Sequence, residues 1–366
     1  MAKTRFVSRH LWGLVAALVC VNLWAGPSVA SGPRAEAARW IPVPKISSRL
    51  TASDIGLVIN TADPYSVEVG EYYIEQRHLK PAQVLRLTLP HRPSLSVDEF
   101  DRLKSQLDER FGPQVQALAL AWTEPYAVQC HSITGALALG FDPELCRRSC
   151  GRSKSSPYFN SASAKPFSEL GVRLSMLLAA SNVEQAKALI DRGVAADRSL
   201  GLRGAPPVAA YFVSTQDAAR NVRAKLFPPP GLIQRFGVDV KVEEMAAPQE
   251  RQRVLVYETG LATVPHLDTI GWVNGALADH LTSFGGVLDK SNGQMSVLAW
   301  IDSGATASYG TVSEPCNHVQ KFPQPQVLLQ HYLQGSTAIE AYWRSVGWPQ
   351  QGLFVGEPLA APFSRR

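Results

Sequence analysis

Residue types able to do acid–base or nucleophilic chemistry crowd two short stretches of this 366-residue chain. In the first, Asp279-His280 is followed by Thr282 and Ser283. An imidazole beside a carboxylate can activate a hydroxyl, provided base and nucleophile come within ~3 Å and a third group orients the base. His280 would be that base, Asp279 its orienter, and Ser283 or Thr282 the nucleophile. Sequence neighbours seldom meet this geometry, because catalytic partners normally come from separate segments. The competing reading has Asp279 capping a helix and the hydroxyls bonding loop backbone. No Gly-x-Ser-x-Gly elbow accompanies them. In the second stretch, Glu314-Pro315-Cys316-Asn317-His318, the imidazole of His318 could hold Cys316 as a thiolate, with Glu314 as an acid or ligand. Against this, Glu-Pro is also a plain turn entry, and a cysteine in an oxidising compartment is more often bridged.

The compartment is therefore part of the argument. Residues 1–10 are basic and 11–26 apolar, and Ser28 and Ala30 are small residues at the −3 and −1 positions of a cut after Ala30. That is the build of a secretory signal over residues 1–30. The apolar run is shorter than the ~20 residues of a spanning helix, so a retained anchor is the alternative. Cys20 follows Val19, which is too large beside a lipidated cysteine, and belongs with the discarded segment. Cys130, Cys146, Cys150 and Cys316 remain, an even number that predicts two disulfides after export. Their pairing is open; Cys146 and Cys150, at helical spacing, could bridge locally. A metal reading draws on His131 beside Cys130 and His318 near Cys316, but the spacing fits no zinc pattern, and no metal or other cofactor is expected.

Strands and helices alternate through the rest. Residues 31–50 show no period and read as a linker. Ile55–Asn60, 83–89, 115–121, Val208–Ser214, 238–242 and 254–257 are strand candidates. Asp63-Pro64 starts a helix as cap and first residue, and Ser96-Val97-Asp98-Glu99 has capping-box form. Ser181-Asn182-Val183-Glu184 repeats that box, and Asp217 should open a helix that Pro228-Pro229-Pro230 ends. Strands separated by helices imply crossover units: an α/β fold with a mostly parallel sheet and helices on both faces. Such a three-layer arrangement is of flavodoxin-like or related kind, with an N-terminal region over 51–250 and a C-terminal region over 251–366. Residues 130–172 hold three of the four cysteines and break the rhythm, as a stapled insertion or functional loop would. Ligands of open α/β sheets bind beyond the C-terminal strand ends. The stretches 279–286 and 311–318 could thus share one crevice, and Gly285-Gly286 would let backbone approach a ligand. Trp122 and Tyr126 could line a sugar or peptide cleft.

Lys and Arg number 36 against 31 Asp and Glu. Lys3, Arg5 and Arg9 precede the cut, which leaves 33 basic and 31 acidic side chains, +2. A near-neutral body argues against a nucleic-acid partner and against an electrostatic membrane clamp. Membrane contact would come only through an uncleaved N-terminal segment. No P-loop or Gly-x-Gly-x-x-Gly opens a helix, so nucleotide chemistry has no support.

Several motifs are familiar together: Asn60-Thr61-Ala62-Asp63-Pro64-Tyr65-Ser66 with Glu71-Tyr72-Tyr73, ADHLTSFGG (278–286), GATASYGTVSEPC (304–316) and Gly352–Pro358. With them the chain resembles an exported bacterial family of unknown function, over most of the mature length. That resemblance implies export to the periplasm or beyond and brings no reaction. Residues 253–360 are also similar to the caspase-like fold of gingipain-type cysteine peptidases. The shared order runs from strand and glycine turn to a Gly-Ala-rich strand, a helix with Gly335 and Glu340, then Gly356-Glu357-Pro358. Where that family places His-Gly, this chain has Thr259-Gly260, and no cysteine stands between Cys150 and Cys316. The dyad is not carried over, and fold alone does not transfer function. The expectation is an exported, degenerate peptidase-like binding module for an unknown ligand or cell-envelope polymer. The alternative is a hydrolase of a cell-surface or extracellular polymer that uses Asp279, His280, Ser283, Glu314, Cys316 and His318.

Overall fold

The computed structural model describes residues 39–289 and 293–365. The signal expected over 1–30, and the linker as far as residue 38, lie outside the described residues.

Fourteen strands are described. They are β1 (Ile55–Asn60), β2 (Val84–Leu87), β3 (Ser94–Leu95), β4 (Ala117–Leu120), β5 (Ala127–Val128), β6 (His131–Ser132), β7 (Leu174–Leu177), β8 (Val208–Ser214), β9 (Gly231–Ile233), β10 (Val238–Glu244), β11 (Val254–Thr259), β12 (Trp272–His280), β13 (Ala307–Thr311) and β14 (Gly352–Gly356). Eleven form one sheet in the order β2-β1-β4-β7-β14-β13-β12-β11-β8-β10-β9; β3, β5 and β6 form a second. Pairing in the large sheet is parallel except for β13 with β14 and β9 with β10. Strands β1, β4, β7, β11, β13 and β14 are buried along their whole length, as strands covered on both faces must be. The α/β, mostly parallel, three-layer expectation is met. The described residues form one compact unit, and strands from both expected regions share the one sheet.

Local chemistry accounts for most helix boundaries. Asp63 accepts the Tyr65 N–H at 3.0 Å and starts the helix Pro64–Arg77. Ser96 and Glu99 close the capping box of Val97–Arg110. In the next expected box the cap is Asn182, not Ser181: its side chain accepts the Gln185 N–H at 2.9 Å at the head of Val183–Ala196, while the Ser181 hydroxyl bonds Asp302. The helix expected after Asp217 is only a 3₁₀ turn, Asn221–Leu226, although Asp217 accepts the Arg220 N–H through Oδ1 at 3.1 Å as a cap would. The single helix expected to carry both Gly335 and Glu340 is two, Pro325–Leu333 and Ala338–Ser345. Gly335 takes φ +98°, and Thr337 with Glu340 caps the second.

Residues 39–50 have no regular structure, yet they are docked. Gln326, Gln330 and Gln334 recur every fourth residue along Pro325–Leu333 and its end, so they share one face. Gln326 Oε1 accepts the Ile41 N–H at 2.8 Å and Gln334 Oε1 accepts the Ile46 N–H at 3.1 Å. The amides of Gln330 and Gln334 donate to Ile41 O and Pro44 O. Leu50 N–H donates to buried Glu340. The segment is a strap whose backbone is satisfied by side chains. Among the described residues, no helix is long and apolar enough to cross a membrane.

Candidate functional site

The C-terminal ends of β11 and β12 hold the first expected cluster. In their parallel register Glu258 lies opposite Asp279 and Thr259 opposite His280. Successive side chains of a strand point to opposite faces of the sheet. Asp279 and His280 are both strand residues, so the acid cannot orient the imidazole next to it, nor does it cap a helix. His280 faces Trp300. The indole N–H donates to Nδ1 at 2.9 Å, and Nε2–H donates to Met295 O at 3.1 Å. Burial pushes this imidazole down to about 3, so it is neutral, with both nitrogens engaged. Ser283 is half-buried and has no free imidazole nitrogen at hand in His280. Thr282 bonds Gln294 and accepts from Arg220 Nε at 3.1 Å.

On the other face Asp279 meets buried Arg223, Nη1 to Oδ1 at 2.6 Å, with Glu258 3.2 Å from the same nitrogen. Arg223 also donates to Thr259 O and Pro323 O. Two carboxyls thus share one guanidinium out of water. Burial raises both carboxyls, most strongly Glu258, with Arg223 opposing. Asp279 accepts the hydrogen bond and Glu258 accepts none, so Arg223 offsets the burial of Glu258 less than that of Asp279. Neither Arg223 nor Glu258 is singled out by motif. The signal for Glu258 was one acid in an otherwise apolar strand, Val254-Leu255-Val256-Tyr257 before it.

The glycines of the two motifs serve each other. Gly286 N–H donates to Thr311 O at 2.9 Å, and the Thr311 hydroxyl donates to Ser283 O at the same distance. A Cβ on Gly310 would stand 2.5 Å from the Gly285 carbonyl carbon. Stretches 279–286 and 311–318 do meet, but backbone against backbone, and the close approach expected of a ligand is made by the chain itself.

Cys316 is bonded to Cys150, and Cys130 to Cys146, with Cα separations of 5.0 and 5.2 Å. The local Cys146–Cys150 bridge does not form, and Cys316 offers no thiolate in this state. Glu314 Oε1 accepts the Cys316 N–H at 2.8 Å, a local turn bond. His318 Nε2 donates to Cys150 O at 2.8 Å, so it braces the bridge from outside. Lys321 Nζ donates to the neighbouring Ser149 O at 2.6 Å; burial lowers its ammonium to about 8, against the pull of Glu314.

Cys130, Cys146 and His131 are the one group among the described residues with metal-ligand spacing. They do not suit a metal. Both sulfurs are in the bridge, and His131 Nε2 accepts from Asp142 N–H at 3.3 Å, which puts the ring proton on Nδ1, facing the sulfurs. Trp122 and Tyr126 are buried: the indole donates to Pro125 O and the phenol bonds Asp289.

The first and last of the quoted motifs also converge. Glu357, fully buried, receives Arg77 through Nε at 2.9 Å and Nη2 at 2.6 Å, and the Tyr73 hydroxyl at 3.0 Å. Arg77 Nη1 continues to Asp197 at 2.7 Å. This network ties the helix Pro64–Arg77 to the end of β14. No protein-family model matches this chain, and no curated protein is significantly similar to it.

Proposed function

We propose that this chain is an exported, non-catalytic binding module with a degenerate peptidase-like fold of caspase-like kind. The observation that carries the reading is the alternation at the end of β12. It turns Asp279 towards Arg223 and His280 towards Trp300, so the adjacent acid and base never address one substrate. The bridge at Cys316 supports the same reading, since it occupies the other candidate nucleophile. Two disulfides suit an oxidising compartment, which agrees with the signal-like N-terminus.

Covalent probes test it. The folded protein, without reductant, is treated with a fluorophosphonate and with iodoacetamide and its intact mass is read. No adduct is expected. A fluorophosphonate adduct on Ser283 or an alkylated Cys316 would overturn the reading in favour of the hydrolase.

A further inference from the structure

Some surface cations are paired: Arg86 with Glu71, Arg92 with Glu99, Lys104 with Asp108 and Lys187 with Glu68. One concave region gathers cations with no acid beside them. A cavity of about 670 Å³ opens between the strap, the β9–β10 turn and the end of the helix Pro325–Leu333. A second, of about 530 Å³, adjoins it through the shared residues Arg235, Phe236, Ser364 and Arg365. Lys45, Arg49, Arg235 and Arg365 line the first, and Arg198 joins in the second. No Asp or Glu lines either cavity. Among the described residues none of these five cations has an acidic partner; Arg235 only lies over the Phe236 ring, 5.4 Å from its centre. Like charges gathered in a concave site focus a positive potential and select an anion.

The apolar part of the lining restricts the anion further. Trp40, Phe236 and Leu333 line the larger cavity and Leu202 the smaller. Trp40 and Leu202 are among the few large apolar side chains left exposed, at 38% and 60%, and Leu232 on the edge strand β9 is another. A soluble polyanion would satisfy the cations and leave these groups in water. An amphiphile satisfies both. Tryptophan beside arginine is also the pairing that settles at the boundary between headgroups and acyl chains. In sequence, Trp40 stands fourteen residues beyond the apolar stretch 11–26, a reach of at most about 50 Å fully extended. While that stretch is attached, the groove stays within reach of a bilayer.

We propose that this groove is a membrane-docking site that takes the phosphate of an anionic phospholipid between Arg49, Arg235 and Arg365, with Trp40 and Leu202 entering the headgroup layer. The +2 body hides this site because its balance is an average over separate regions. The groove shares no lining residue with the strand ends at 279–286, so its failure would leave the non-catalytic reading standing.

The test is co-sedimentation of the whole exported protein with phosphatidylglycerol vesicles and with phosphatidylcholine vesicles, at low and at raised salt. Binding to phosphatidylglycerol should exceed binding to phosphatidylcholine at least tenfold and fall with salt. Each cation at a membrane surface is worth about 1 kcal/mol, so Arg49→Gln with Arg235→Gln should weaken it roughly 30-fold. Arg49→Lys with Arg235→Lys should restore most of it, which separates loss of charge from loss of fold. Soluble polyphosphate at equal phosphate concentration should not displace the protein. Equal binding to both vesicles, an unaffected Gln variant, or displacement by polyphosphate would each overturn the proposal, the last by making a soluble polyanion the ligand.

Discussion

Replacing Glu258 by Gln tests the account of the buried cluster. Asp279 takes the 2.6 Å contact with Arg223, while both oxygens of Glu258 lack a hydrogen bond. Burial holds Glu258 well above its ordinary value of 4.5. The sign follows from linkage. Below 4.5 the carboxyl is protonated in both folded and unfolded chains, and its contribution to stability is complete. Above 4.5 the unfolded chain releases the proton while the fold retains it. Stability then falls by about 1.4 kcal/mol per pH unit until the folded group also titrates. Glutamine imitates the protonated acid in shape and carries no such slope. Urea unfolding at pH 5, 6, 7 and 8 would read the difference between variant and wild type. Glu258→Gln should gain on the wild type as the pH rises through those units, in the direction that the raised carboxyl of Glu258 sets. A difference that stays flat, or that falls as pH rises, would mean that Glu258 is ionised in the fold, and the assignment of the proton would be wrong.

The two disulfides should contribute unequally. Cys150–Cys316 closes 166 residues and Cys130–Cys146 only 16, so chain entropy assigns them about 5 and about 3 kcal/mol. Urea unfolding of the two double-serine variants should differ by roughly 2 kcal/mol, and equal losses would reject the entropic account. Gly310→Ala forces a methyl against the Gly285 backbone and should cost about 1–3 kcal/mol, read as a lowered Tm. An unchanged Tm would mean that the 282–286 turn yields freely. Removing the amides of Gln330 and Gln334 together should release the strap at about 1 kcal/mol per lost bond. Limited proteolysis should then cut within residues 41–46, and continued resistance would show the strap held by something else.

The fold was legible where one residue sufficed to set a boundary. Ile55–Asn60 and Val208–Ser214 are apolar runs with clear ends and appear with those bounds. Asp63 and Ser96 cap as their types require. A boundary failed where a side chain had a distant alternative: Ser181 is drawn to Asp302. Strand β7, only four residues long, had no period to read; its place depends on β4 and β14. The candidate site was legible as a collection of residues and not as an arrangement. Asp279-His280 is adjacent in sequence whether or not it is on a strand. Only the strand makes the two side chains diverge. Arg223 was invisible because its importance comes from a contact with Glu258, 35 residues away in the chain.

Strand β14 has a consequence for how the molecule comes into being. Residues 352–356 occupy the seat between β7 and β13, in the middle of the sheet, and among the described strands they are made last. A chain emerges N-terminus first, whether from a ribosome or through a membrane channel. Until residues 352–356 are free, it can hold two partial sheets with unsatisfied facing edges and no strand to join them. The strap waits as well, since its glutamine partners lie beyond residue 325. Native closure of the sheet therefore waits for residues 352–356, and a chain cut before residue 352 is a molecule with its keystone missing rather than one with a shortened tail.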